Sequence, residues 1–275
     1  MNVQDIDARS SHDAIGIFDS GVGGLAVYRA IRELLPTENL IYVADTRYAP
    51  YGERDARYVE SRTTAIAEFL TIVGVKAIVV ACNTATTVAV RKLREIYRLP
   101  VVGIEPGIKP AVERSAAKKI VVLATQRTIE SEAVRDLLQR YGSDAEIILQ
   151  SCPGLVEQVE RGEMDAPETL ALLRRYTQPV FDSAADVIVL GCTHYAFLEP
   201  RIRGIVGNQV VIIEPSRAVA RQLDARLTGA ALHGESKEPG RDEFFTSAND
   251  ADAVARTMSM LLGSRISVSC MYDHA

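Results

Sequence analysis

The feature that most constrains this chain is a set of four predicted strands that occurs twice in the same order. The first strands end at Asp19 and at Thr125, 106 positions apart, and the second strands keep that spacing. The third strands end at Cys82 and Cys192, which are 110 positions apart, and both fourth strands end in Ile-Glu-Pro. Any two α/β segments share some pattern, but the paired cysteines and the paired Ile-Glu-Pro sequences favour a duplication. We therefore expect two lobes built on one strand order.

The predicted strands alternate with helices, and this alternation sets the fold class. The apolar runs are rich in β-branched residues, which is typical of strands buried on both faces of a parallel sheet. The sequence predicts an α/β fold of two pseudo-symmetric lobes, each a mostly parallel sheet flanked by helices, with the active site between them. The predicted segments are a polar N-terminal tail (1–14), a first lobe (15–104 with 215–262), a second lobe (105–214) and a C-terminal tail of little pattern (263–275).

Composition and charge exclude several classes of protein. The chain has 275 residues, of which 47% are hydrophobic and 24% charged, as in ordinary globular proteins. The net charge of −5 offers no attraction for nucleic acid or for an acidic membrane surface. No apolar run is long enough to cross a membrane, and residues 1–14 lack the apolar core of a signal peptide. We expect a cytoplasmic protein with a small-molecule partner; the sequence leaves the oligomeric state open, with a homodimer as one alternative.

The cysteines lie far apart along the chain, at Cys82, Cys152, Cys192 and Cys270. Because there is no Cys-x-x-Cys sequence and no cluster of histidines, we expect no zinc site. In a chain without an export signal these thiols are expected to be free. Cys152 and Cys270 have no counterpart in the repeat, and we interpret them as bystanders.

Cys82 and Cys192 each follow an apolar strand and precede polar residues that suit the start of a helix. This places both thiols at the carboxyl edge of a parallel sheet, where open α/β folds bind ligands. The positive end of a helix favours the thiolate, which is the reactive form of cysteine. With Asp19 and Thr84 near one thiol and His194 near the other, the groups suggest proton transfer. Each thiol alone could equally be buried and inert, and His194 could be an inert core histidine.

The glycine-rich segment after the first strand raises a different alternative. Asp19-Ser20-Gly21-Val22-Gly23-Gly24-Leu25-Ala26 contains G-x-G-x-x-A, and Asp45 ends the next strand, as in NAD-binding proteins. However, an acid and a serine stand between the strand and the first glycine, where a pyrophosphate would meet like charge. The glycines more simply let the backbone approach a small ligand.

Four motifs carry a resemblance to a known family. They are Phe18-Asp19-Ser20-Gly21-Val22-Gly23-Gly24-Leu25, Pro50-Tyr51-Gly52, Ala81-Cys82-Asn83-Thr84-Ala85 and Leu190-Gly191-Cys192-Thr193-His194-Tyr195. Together they resemble the signature motifs of the glutamate racemases, and the resemblance extends roughly over residues 15 to 262. It implies a cofactor-independent isomerase that interconverts L- and D-glutamate and supplies D-glutamate for peptidoglycan synthesis.

The same resemblance implies the roles of individual residues. Cys82 and Cys192 are similar to the two acid/base thiols on opposite faces of the substrate Cα, and Asp19 and His194 to the groups that assist them. Glu160 matches an auxiliary carboxylate. The residues that match substrate-holding positions are Asp19, Ser20, Pro50, Tyr51, Gly52, Cys82, Asn83, Thr84, Thr125, Thr128, Cys192, Thr193 and His194.

Three alternatives to this function remain open at the level of sequence. Another amino-acid racemase of the same superfamily, such as one for aspartate, would share both thiols, although Thr193-His194-Tyr195 favours glutamate by resemblance. A related decarboxylase or cis–trans isomerase would usually lack one of the two cysteines. A two-lobed binding protein without catalysis is the third alternative, but a thiol pair is an unusual lining for a receptor.

Overall fold

The computed structural model describes residues 13–271, which form two sheets surrounded by helices. The strands are β1 (Ala14–Asp19), β2 (Leu40–Ala44), β3 (Val75–Val80), β4 (Val101–Gly103), β5 (Lys119–Ala124), β6 (Glu146–Ser151), β7 (Val187–Gly191), β8 (Val211–Ile213), β9 (Asp242–Thr246) and β10 (Ser269–Cys270). The helices are α1 (Leu25–Leu34), α2 (Ala56–Ile72), α3 (Asn83–Ile96), α4 (Ile108–Arg114), α5 (Gln126–Ile129), α6 (Glu132–Tyr141), α7 (Leu155–Glu160), α8 (Pro167–Ser183), α9 (Glu199–Val206), α10 (Ser216–Ala230) and α11 (Ala251–Leu262). No helix in this part of the chain is both long and apolar enough to cross a membrane.

The two sheets have matching strand orders. The first sheet runs β10-β9-β2-β1-β3-β4 and the second runs β6-β5-β7-β8. Every strand pair in residues 13–271 is parallel. β1 and β5 therefore take equivalent central positions, with β3 and β7 beside them, so the repeat of strand order is confirmed. The α/β fold class is confirmed with it, whereas the lobe boundaries stay a prediction.

The central strands β1, β3, β5 and β7 are largely buried because helices cover both faces of each sheet. All six residues of β3 are buried. Ala77 and Val79 belong to the largest core cluster, whereas Ile78 belongs to a second cluster on the opposite face, as the alternation of side chains requires. The largest cluster also includes Val121 and Leu190 of the second sheet. The two lobes therefore share one hydrophobic core.

After β8 the chain returns to the first sheet. Helix α10 packs against α1, and β9 pairs with β2 along its whole length. Strand β10 then pairs with β9, and Met271 beyond it is buried. A two-residue strand is too short to show a sequence pattern; the open edge of β9 supplies its hydrogen bonds.

The beginning of the chain departs slightly from the prediction. Ala14 already belongs to β1 and pairs with Val75, so the first strand starts one residue earlier than expected. Of the predicted N-terminal tail, residues 1–12 lie outside the described part of the chain.

The two cysteine turns differ from each other. Helix α3 begins directly after Cys82, as predicted. Cys192 is followed instead by a 3₁₀ turn over Thr193–Leu198, and α9 starts only at Glu199. Pro200 explains the delay, because proline suits the first turn of a helix but in a helix begun at Cys192 it would remove an interior hydrogen bond. The expectation that Cys192 also precedes an α-helix directly is wrong.

Candidate active site

Cys82 and Cys192 line the same cavity, which lies between the two lobes. The first lobe contributes Ser20, Pro50, Tyr51, Gly52, Cys82, Asn83 and Thr84, and the second contributes Thr125, Val156, Cys192, Thr193 and His194. All of these except Val156 are residues that the sequence analysis singled out. Asp19, Glu160 and Thr128 lie directly behind this lining and bind to it through hydrogen bonds.

The cavity is small in this arrangement. Its volume is about 10 Å³, roughly the space that one water molecule needs. A larger cleft of about 1120 Å³, at the two Ile-Glu-Pro crossings between the lobes, contains neither thiol. The chemistry-bearing residues therefore converge on the small cavity and not on the large cleft.

Cys82 caps helix α3 from the end of β3. Its Sγ accepts a hydrogen bond from the Ala85 N–H at 3.5 Å, and its thiol faces Ser20 Oγ at 3.8 Å. Burial, followed by the nearby Asp19 carboxylate, raises the pKa of Cys82 to about 12. The Cys82 thiol is therefore protonated at neutral pH.

Cys192 has a different partner. Its Sγ lies 3.8 Å from His194 Nδ1, and His194 Nε2 lies 2.6 Å from Glu160 Oε1. The Glu160 oxygen also accepts a hydrogen bond from the Val22 N–H at 2.8 Å, so the carboxylate is fixed against the start of α1. Burial alone would lower the pKa of His194, but the contacts with Cys192, Glu160 and Asp19 outweigh it and raise this pKa well above its usual value. The arrangement is a thiol, an imidazole and a carboxylate in a row, which can pass a proton to or from the sulfur.

Asp19 connects the two lobes at the base of the cavity. It is fully buried; Oδ1 accepts a hydrogen bond from the Gly21 N–H at 2.9 Å and Oδ2 accepts one from the Thr193 hydroxyl at 2.9 Å. Burial raises its pKa above the ordinary value for an aspartate. In the repeat, Thr125 occupies the position equivalent to Asp19. The residue of the second lobe that bonds to Asp19 is nevertheless Thr193.

The glycines after β1 permit a close approach between the lobes. A Cβ at Gly21 would lie 1.8 Å from Glu160 Oε1, and one at Gly23 would lie 2.3 Å from His194 Nδ1. Glu160 and His194 therefore occupy the space in front of α1 where a dinucleotide would place its phosphates. These glycines accommodate side chains of the second lobe, and the approach of a small ligand to their backbone stays a prediction.

Three threonines form a second contact between the lobes. Thr84 Oγ1 lies 3.0 Å from Thr125 Oγ1 and 3.2 Å from Thr128 Oγ1, and these last two hydroxyls are 3.0 Å apart. Thr125 also faces the backbone of Gly52, where a Cβ would be 2.6 Å from the threonine Cβ. Hydroxyl groups from both lobes thus meet beside the thiols.

Asn83 offers the cavity an acceptor. Its Nδ2 donates to the carbonyl of Ile104 at 3.4 Å. Its Oδ1 is buried and has no hydrogen-bond partner among residues 13–271. A buried acceptor without a partner is costly, so this oxygen is suited to a donor supplied by a ligand.

Sequence reasoning missed three residues at the site. Val156 lines the cavity, but one valine in an amphipathic helix carries no distinguishing signal. Asp45 accepts a hydrogen bond from the Tyr51 hydroxyl and pairs with Arg62. The sequence could have indicated Asp45, because it follows β2, the strand that pairs with β1. It could not have indicated Arg62, because no local pattern in α2 shows that this arginine contacts Asp45. No group of three or more potential metal-binding side chains occurs within the described ranges.

Comparisons with known proteins agree with this geometry. The family model described as Asp/Glu/Hydantoin racemase matches residues 15–223. A glutamate racemase from Methylococcus capsulatus is 49% identical over 247 residues, covering 90% of this chain and 91% of that protein. A glutamate racemase from Pseudomonas aeruginosa is 43% identical, covering 93% of this chain and 96% of that protein.

Solved structures give the same result. The glutamate racemase isoform RacE1 from Bacillus anthracis superposes with a TM-score of 0.87 at 32% identity, covering 94% of this chain and 97% of that one. The Escherichia coli glutamate racemase bound to L-glutamate and an activator superposes with a TM-score of 0.81 at 29% identity, covering 94% and 98%. With its two matching sheets and the family model spanning most of its length, the chain belongs to the Asp/Glu/hydantoin racemase family and is an amino-acid racemase, an isomerase.

Proposed function

We propose that this racemase interconverts L- and D-glutamate with two thiols, Cys82 and Cys192, and without a cofactor. The single observation that carries the proposal is that a cysteine from each lobe, at equivalent strand ends, lines one cavity. The relatives named above are glutamate racemases. A glutamate racemase from Francisella tularensis, with a TM-score of 0.82 at 26% identity, was solved with D-glutamate bound.

The proposed reaction needs one base and one acid. The thiolate of one cysteine removes the proton from the substrate Cα, which leaves a carbanion stabilised by the adjacent carboxylate. The thiol of the other cysteine then delivers a proton to the opposite face, so the configuration is inverted and no atom is gained or lost. Each turnover leaves the two sulfurs with exchanged protonation states.

The groups behind the sulfurs suit this exchange. On one side, the thiol of Cys82 faces the Ser20 hydroxyl, which in turn lies 3.4 Å from Asp19 Oδ1. On the other side, His194 and Glu160 stand behind Cys192. Because each sulfur has its own polar groups behind it, we propose that each thiol serves as the base in one direction of the reaction and as the acid in the other.

Substrate recognition follows from the donors and acceptors in the cavity. The Thr84 hydroxyl and the start of α3 favour carboxylates, because this hydroxyl can donate and a helix N-terminus carries positive partial charge. The partnerless Asn83 Oδ1 suits an ammonium group. The cavity is too small for glutamate in this arrangement, so we propose that the lobes move apart to admit it.

The first experiment is a circular-dichroism assay of the purified protein with L-glutamate and with L-aspartate, without added pyridoxal phosphate or metal. We expect racemisation of glutamate and almost none of aspartate, because a shorter side chain leaves buried polar groups unpaired. Similar catalytic efficiency on both substrates would contradict the assignment to glutamate. We also propose that the protein supplies D-glutamate for peptidoglycan in the cytoplasm, which depletion of the gene product would test. We propose in addition that it forms a homodimer, which sedimentation would test.

The two thiols are tested by substitution. We expect Cys82→Ala and Cys192→Ala each to lower kcat at least about 10³-fold without unfolding the protein, because each removes one essential proton carrier. Cys270→Ala is the matched control, since this half-buried thiol bonds only to backbone carbonyls in the described structure, and it should keep full activity. Near wild-type turnover in either of the first two variants would overturn the two-thiol mechanism.

A further inference from the structure

We propose that Arg62 is a positioning residue for racemisation, which with Asp45 fixes the loop of residues 50–52 against the cavity and so sets the affinity for the amino acid. The proposal rests on the proposed function and adds a residue that the motifs do not contain. Arg62 lies in the second turn of α2 and is not part of the cavity lining.

The contact between Arg62 and Asp45 is bidentate. Arg62 Nε donates to Asp45 Oδ2 at 3.0 Å, and its terminal nitrogen donates to Asp45 Oδ1 at 2.9 Å. The Asp45 side chain is fully buried, and that of Arg62 is 16% exposed. The guanidinium also stacks over Tyr48, with its central carbon 3.6 Å from the ring centre. The guanidinium is planar, and it is bound in its plane by Asp45 and on one face by Tyr48. These two contacts fix its orientation.

Asp45 connects Arg62 to the cavity wall through Tyr51. The Tyr51 hydroxyl donates to Asp45 Oδ2, and Tyr51 is 1% exposed. Burial, followed by the negative charge of Asp45, raises the pKa of Tyr51, so its hydroxyl stays neutral and remains a donor. The backbone N–H of Asp45 donates to the carbonyl of Asp19 at 3.0 Å, which ties the aspartate to the end of β1. Arg62, Asp45 and Tyr51 thus form one chain of contacts from α2 to the cavity wall.

The far side of the loop rests on the second lobe. Gly52 packs against Thr125, and the guanidinium of Arg127 donates to the carbonyl of Arg54 at 2.8 Å. The loop therefore spans the opening between the lobes and is held from both sides. Because Arg62 touches neither thiol, its loss should weaken substrate binding and leave proton transfer largely intact.

The test is the variant Arg62→Lys. A lysine keeps a positive charge beside Asp45, so the carboxylate is not left unpaired, but it cannot make the two parallel bonds or the flat stacking. We expect KM for glutamate to rise about tenfold while kcat changes less than about threefold, the pattern for loss of uniform binding. Glu60→Gln is the matched control: Glu60 lies on the same helix in an exposed pair with Lys92, and its KM should be that of the wild type.

A second variant keeps the proposal testable if Arg62→Lys is poorly folded. Tyr51→Phe removes only the hydroxyl that donates to Asp45. We expect this variant to raise KM to a similar extent. In the double variant the two effects should not multiply, because both act on one loop. An unchanged KM in Arg62→Lys or Tyr51→Phe, a fall in kcat at constant KM, or multiplying effects would overturn the role of Arg62. A wild-type protein that fails to racemise glutamate would instead overturn the proposed function.

Discussion

At the scale of single residues, the two thiols occupy equivalent strand ends but have unlike surroundings. Cys82 caps a helix and faces a serine hydroxyl, whereas Cys192 precedes a 3₁₀ turn and faces an imidazole. The duplication therefore supplies the positions of the sulfurs, and the residues next to each sulfur supply different means of handling its proton. His194 is a residue whose pKa this arrangement raises well above its usual value.

His194 should make the stability of the protein depend on pH. Its raised pKa means that the folded protein keeps a proton that the unfolded chain releases above about pH 6.5. The stability from this proton is full below that pH and is lost as the pH rises through the folded pKa. We expect the free energy of unfolding of the wild type to fall with pH more steeply than that of His194→Gln, by up to about 1.4 kcal/mol per unit above pH 6.5.

Urea unfolding of both proteins between about pH 6 and about pH 9 measures the two slopes. The difference between them reports His194 together with its effect on Asp19, because the imidazolium is one of the groups that lower the pKa of that buried carboxyl. Parallel slopes would contradict a net loss of stability with rising pH from this histidine.

At the scale of secondary-structure elements, the glycines before α1 pack closely against side chains of the second lobe. We expect Gly23→Ala to lower kcat at least about 10²-fold, because the new methyl group would displace the His194 ring, which lies 2.3 Å from its position. Overpacking should also reduce the free energy of unfolding by about 1–3 kcal/mol. Gly204→Ala, in α9, is the control: its methyl group meets no atom within 4 Å, so activity should persist and stability should hold or improve. Equal activity in the two variants would contradict this role for Gly23.

Strand β3 carries a buried ion pair that links it to the segment after α10. Lys76 Nζ lies 2.6 Å from Glu38 Oε2, with the side chains 0% and 4% exposed, and Glu38 Oε1 accepts a hydrogen bond from the Gly234 N–H at 2.7 Å. We expect Lys76→Met to reduce the free energy of unfolding by about 3–5 kcal/mol, because it leaves a buried carboxylate without its cation.

Lys92→Met is the comparison for that measurement. Lys92 forms an exposed pair with Glu60, so its loss should cost less than about 1 kcal/mol in the same urea titration. Similar losses in the two variants would mean that burial does not govern the strength of these pairs.

At the scale of the whole molecule, the shared core and the matching sheets bring one sulfur from each lobe to one cavity. Two proton-transferring thiols on separate lobes should label the substrate and the product differently with deuterium. In deuterated water we expect D-glutamate formed from L-glutamate to carry deuterium at Cα, while L-glutamate recovered early stays mostly unlabelled. A monoprotic thiol returns the proton that it removed, whereas the opposite thiol delivers deuterium from solvent. Mass spectrometry or NMR of both enantiomers at low conversion measures this, and equal early label in both would point to a single exchanging base.

Much of the fold could be predicted because its signals are local. The β-branched run before Cys82, the Asn-Thr start of α3 and the repeated Ile-Glu-Pro each depend on residues a few positions apart. The resemblance located most of the cavity lining in the same way, since its motifs are short and contiguous. The turn after Cys192 was predicted wrongly because Pro200, eight positions further on, decides where the helix begins.

The sequence by itself determined the α/β class, the doubled strand order and the two cysteines at equivalent strand ends. Only the tertiary structure decided that Glu160 lies against Val22, 138 positions away, and holds His194 behind Cys192. It also decided that the glycines after β1 make room for these side chains, and that Arg62 anchors Tyr51 through Asp45. The physical reason is that strand and helix patterns arise from neighbours along the chain, whereas contacts between the lobes exist only after the common core has fixed how the two sheets pack.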